Sequence, residues 1–118
     1  MRAAAGDVAV TNLRLVAERL RQGETVSFRP HGHSMVPYIR DGELVTVRPA
    51  ADGEAFRPRM IVLAKVHGTF YLHLVRAVSP KENRVLIGSA HHVNGWTGRD
   101  NVAGVLVKDK RYSYLSSH

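Results

Sequence analysis

The sequence predicts a mostly-β domain, compact and closed on itself, preceded by one amphipathic α-helix. Three observations carry that prediction. A single stretch near the start repeats apolar residues at helical spacing. The rest of the chain falls into about six or seven short runs of alternating or continuously apolar character. Gly, Pro, Asn and Asp stand at nearly every junction between those runs.

The chain has 118 residues, enough for one domain with a hydrophobic core and too few for two. Hydrophobic residues make up 44% and charged residues 23%, the usage of a folded protein. The sequence contains no cysteine, which excludes a disulfide framework, a thiolate zinc site and a cysteine nucleophile. No apolar run approaches the roughly 20 residues of a membrane-spanning helix. The start, Met1-Arg2-Ala3-Ala4-Ala5-Gly6, lacks the apolar segment of a secretion signal. The expectation is a cytoplasmic protein without a transmembrane segment. Lys and Arg number 17 against 10 Asp and Glu, a net charge of +7. That balance steers acidic partners at long range without naming one.

Residues 1–10 are small and weakly patterned and read as a loose tail, as does 113–118. The domain is expected over 11–112. Its helix, 12–22, sets Leu13, Val16, Ala17 and Leu20 on one face and Arg14, Glu18, Arg19 and Arg21 on the other. Thr11 or Asn12 can cap its start, and Gly23 suits the left-handed position past its end. The β region, 25–107, opens with Val26 and Phe28 alternating with polar residues up to Pro30. The turn His31-Gly32-His33 follows, and Arg40-Asp41-Gly42 is a second turn before a strand at 43–47. Residues 49–58 read as a surface loop. Strands at 60–65 and 70–78 form a hairpin around His67-Gly68. Val85-Leu86-Ile87 is a short strand, 88–101 is polar and irregular, and 102–107 is a final buried strand.

The segment from Gly32 to Val45 is the most informative. Ser34 sits between a glycine turn and Pro37, whose ring fixes the backbone three residues on. Such a turn can present a hydroxyl beside free backbone amides able to hold an oxyanion. Taken alone, it also fits an ordinary capping serine. Gly32, Ser34, Met35, Pro37, Ile39, Gly42 and Glu43 match the pattern G-x-S-M-x-P-x-[IL]-x-x-G-[DE]. This box resembles the one shared by LexA-type self-cleaving repressors and type I signal peptidases. Further on, Met60-Ile61-Val62-Leu63-Ala64, the stretch 68–75, Gly88-Ser89-Ala90 and Val102-Ala103-Gly104-Val105 resemble family segments in the same order. The resemblance spans about 25–107. Arg59 and Met60 stand where Gly-Asp is usual, and Ser89 where relatives carry an acid.

The resemblance implies a LexA/signal-peptidase-like fold and a serine endopeptidase with Ser34 as nucleophile. It assigns Gly32, Met35 and Pro37 to the substrate-binding turn. A serine hydroxyl needs a neighbour to take its proton. In LexA-like and bacterial signal peptidases that base is a lysine; in those of the endoplasmic reticulum and archaea it is a histidine within His-Arg-Val. His73-Leu74-Val75 falls on this position. On its strand Leu72 and Leu74 face one way, while Tyr71, His73 and Val75 face the other. Imidazole, with a pKa near 6.5, can act as a base at neutral pH without a large shift. Lys65, ending a strand similar to the one that carries the bacterial lysine, is the rival base. For the third position Ser89 stands in the family's slot, and Asp100 takes over if the irregular loop folds back.

Other chemistries fit less well. His31 and His33, or His91 and His92, could meet a metal ion, but no carboxylate or helical spacing supports them, so neither metal nor organic cofactor is expected. The arginines and lysines are dispersed over every element and no second helix forms a helix-turn-helix, which disfavours nucleic acid. The expected partner is an extended peptide or protein substrate; a homodimer is compatible with the sequence. Ala3-Ala4-Ala5-Gly6 offers a small-residue sequence for self-cleavage after Ala5. The alternative function is a binding or regulatory module that keeps the fold without the chemistry.

Overall fold

The computed structural model describes residues 12–107. The expected tails, the domain boundary at 112 and the Ala5 self-cleavage sequence lie outside the described residues.

Helix α1 spans Leu13–Arg21. Asn12 caps it, its side-chain oxygen accepting from the Arg14 and Leu15 amides at 3.1 and 3.2 Å. Arg19 and Arg21 stand in the last turn, where cations offset the helix dipole. Val16, Ala17 and Leu20 are buried, as the spacing requires.

Seven strands follow: β1 (Val26–Phe28), β2 (Val45–Pro49), β3 (Ile61–Val66), β4 (Thr69–Ser79), β5 (Arg84–Gly88), β6 (Val93–Gly98) and β7 (Val102–Leu106). They form one antiparallel sheet in the order β1-β2-β7-β3-β4-β5-β6. A turn of 3-10 helix, Arg99–Asn101, links β6 to β7. Two strands depart from expectation. The expected 43–47 strand is shifted to Val45–Pro49, and β6 occupies part of the stretch expected to be irregular. With Gly95, Gly98 and an exposed Val93, β6 lacks the alternation that marks a strand in sequence.

The sheet order is linear, so the expected closure is not made by a backbone ladder between β1 and β6. Within the sheet the buried Thr97 hydroxyl on β6 reaches across to β3, donating to the Lys65 carbonyl at 2.8 Å. Alternation along the strands creates two apolar clusters, one on each face of the sheet. Ile61, Leu63, Leu72 and Leu74 join the α1 residues, β1, β2, Met35 and Ile39 on one face. Val62, Ala64, Val66, Val75, Val85 and Ile87 form the other, with Phe56 from the long loop. Gly104 lets α1 settle on β7: a Cβ there would lie 2.7 Å from Leu20 Cδ1 and 2.6 Å from Val47 Cγ1.

Candidate active site

The loop between β1 and β2 carries Ser34, and its own bonds hold it. The Gly32 amide donates to Asp41 Oδ1 at 2.7 Å, and the Gly42 amide to the Pro30 carbonyl at 2.7 Å, so the loop is pinched at its base. Between these points the chain turns over 34–38, with the Ile39 amide bonded to the Met35 carbonyl at 2.9 Å. Met35 and Ile39 are buried in the α1-side cluster, anchoring the turn, while Ser34 is exposed at its crest. The Gly32 amide, and then His31 at 3.4 Å, hold the Asp41 carboxyl below its ordinary range. Among the described residues, the Ser34 and Met35 amides carry no hydrogen bond.

Ser34 Oγ lies 3.1 Å from His73 Nε2. His73 sits in the middle of β4 opposite Val62, on the face of the second cluster, 8% exposed and stacked on Tyr71 with ring centroids 5.1 Å apart. Its other nitrogen, Nδ1, lies 2.6 Å from Asn94 Oδ1. An amide oxygen only accepts, so Nδ1 carries the proton and Nε2 presents its lone pair to the serine O–H. Burial pushes the His73 pKa down, against the smaller opposing effect of the Asn94 bond. The imidazole is therefore neutral at pH 7, the form a general base needs.

Asn94 reaches His73 through a β-bulge. Ile87 of β5 pairs with Gly95 and the next residue, Gly88, pairs with Val93, so Asn94 has no partner opposite it. An extra residue in a ladder bends its strand and re-aims a side chain. Gly95 permits this with φ +142, a region that side-chain-bearing residues rarely adopt. The loop from β5 to β6 also docks on the serine turn, the Ala90 amide donating to the Ser34 carbonyl at 3.3 Å.

No protein-family model matches the chain, and no curated protein matches it significantly. The site therefore rests on its own geometry and on the motif.

That geometry joins Ser34 to His73 and leaves out the other bases and orienters named from sequence. Lys65 faces the opposite side of the sheet from His73, exposed, with its ammonium 5.6 Å from the Phe70 ring centroid. Ser89 is buried, but its hydroxyl accepts from the His91 and His92 amides at 3.1 and 2.9 Å and serves its own loop. Asp100 is exposed on the 3-10 turn, its carbonyl taken by Arg21. The side chain that meets His73 Nδ1 is Asn94. Sequence reasoning missed it because Asn-Gly in a polar stretch reads as a turn.

Gly32 and Met35 line a cleft of about 110 Å³ beside Ser34 and His73, with Leu13, Phe70 and Leu72 among its apolar walls. Pro37 is exposed outside that lining, after a cis peptide bond with Val36. Pockets for drug-sized ligands run from about 300 Å³; this one suits one or two side chains of an extended chain. Among the described residues, no group of three or more His, Cys, Asp or Glu could hold a metal ion, and no helix is long and apolar enough to cross a membrane.

Proposed function

We propose that the protein is a serine endopeptidase in which Ser34 is the nucleophile, His73 the general base and Asn94 the residue that orients the base. The observation that carries this reading is the chain of contacts Ser34–His73–Asn94, at 3.1 and 2.6 Å. The resemblance of 32–43 to the LexA and signal-peptidase box supports it independently.

In this mechanism His73 Nε2 takes the Ser34 proton as Oγ attacks the peptide carbonyl. The Ser34 amide, unengaged among the described residues, donates to the developing oxyanion. The tetrahedral intermediate collapses as His73 gives its proton to the departing amine. Water, activated by the same imidazole, then hydrolyses the acyl-enzyme and restores Ser34. Asn94 holds the tautomer without adding charge, so the imidazolium formed during the reaction lacks a carboxylate beside it.

A second reading, a binding module derived from a peptidase, draws on the Arg59-Met60 and Ser89 departures from the family pattern. The intact Ser34–His73 contact weighs against it. A randomised decapeptide library, incubated with the full chain and read for new amino termini by mass spectrometry, decides between them. The peptidase reading requires cleavage by wild type and none by Ser34→Ala; cleavage by neither assigns the module.

A further inference from the structure

We infer that Arg40 selects substrates carrying an acidic side chain next to the bond that Ser34 attacks. The inference rests on the peptidase reading and names its substrate class. Arg40 lines the same cleft as Ser34 and His73, and so does His31. No Asp or Glu lines that cleft; the remaining walls are Gly32, the Tyr71 ring and apolar side chains.

The nearby carboxylates have other duties. Asp41 accepts from the Gly32 amide and pairs with His31 at 3.4 Å. Glu43 accepts from the backbone amide of Arg40 at 2.9 Å, which fixes the Arg40 backbone. Among the described residues, the Arg40 guanidinium forms no ion pair. A planar guanidinium fork lining a cleft that holds no carboxylate of its own matches a substrate carboxylate bidentately. The net charge of +7 draws acidic chains toward the molecule at long range.

The test compares the full-length wild type with Arg40→Gln and Arg40→Glu on the randomised decapeptide library, aligning products on the cut bond. Circular dichroism confirms that each variant is folded. Wild type should enrich Glu and Asp at one fixed position by at least about threefold, the scale of a partly exposed charge-assisted bond. The enrichment should shrink in 0.5 M salt. It should vanish in Arg40→Gln and turn toward Lys and Arg in Arg40→Glu. Cleavage by wild type with no acidic preference, or the same preference in all three proteins, overturns the inference and leaves the peptidase reading standing. Absence of cleavage, together with absence of phosphonylation at Ser34 by a fluorophosphonate, overturns both.

Discussion

Asn94 Oδ1 lies 2.6 Å from His73 Nδ1 because β6 carries one more residue than β5 at that point. The bulge converts an edge strand into the support for an imidazole on the next strand but one. It also fixes which imidazole nitrogen faces Ser34.

Removing that support should slow the serine without unfolding the protein. Asn94→Ala is expected to lower the rate of Ser34 phosphonylation about 10- to 100-fold, part of the roughly 10²–10⁴-fold that a positioned base supplies. Asn94→Asp keeps the acceptor and adds a charge that favours imidazolium, so its pH–rate midpoint should move upward. Equal rates in Asn94→Ala and wild type would remove Asn94 from the site.

The pH dependence follows from the buried imidazole. Burial lowers the His73 pKa below its ordinary 6.5, so reactivity should rise with a midpoint under 6.5 and be level from pH 7 upward. A base with the ordinary lysine pKa near 10.4 would instead give a rate that climbs through alkaline pH. Stability has the same sign. The unfolded chain binds the His73 proton more readily than the folded one, so stability is lost as pH falls from about 6.5 toward the folded pKa. Thermal melting between pH 8 and 5 should show that loss, reduced in His73→Gln.

The serine turn depends on Asp41 more than its exposure suggests. Asp41→Ala frees the Gly32 amide that pins the loop base. Slower Ser34 phosphonylation with nearly unchanged Tm is the expected pattern. Because the Asp41 carboxyl is held below its ordinary pKa of 3.8, this support persists above that pH and fades as pH falls through the folded value.

Gly104 sets the seat of α1. In Gly104→Ala the new methyl meets Val47 Cγ1, the Arg48 carbonyl and Leu20 Cδ1 at 2.6–2.7 Å. Overpacking of this kind costs about 1–3 kcal/mol, and Leu20→Ala about 2–5 kcal/mol through the cavity it leaves. Urea unfolding curves measure both, and a neutral Gly104→Ala would show that α1 can shift freely.

Helix α1 and the β3–β4 hairpin were legible in sequence because each carries its own period and its own turn. Strand β6 was not, since two glycines and an exposed edge erase the pattern. Ser34 and His73 stand 39 residues apart, and local chemistry alone does not join them; they were paired only by the resemblance of their segments to LexA and signal-peptidase patterns. Asn94 was invisible because its role depends on a register slip between two strands, a long-range feature without a local signature. The same alternation argument that turned His73 away from Leu72 and Leu74 puts Lys65 on the opposite face, which separates the two candidate bases.

The most direct measurement is the second-order rate of fluorophosphonate attachment at Ser34, followed by intact mass at pH 7.5. It is run on wild type, Ser34→Ala, His73→Ala and Lys65→Ala, each checked for folding by circular dichroism. The predicted result is one adduct on wild type, none on Ser34→Ala, a rate about 10²–10⁴-fold lower in His73→Ala, and an unchanged rate in Lys65→Ala. An adduct that survives in His73→Ala at the wild-type rate, or that disappears only in Lys65→Ala, would contradict the account.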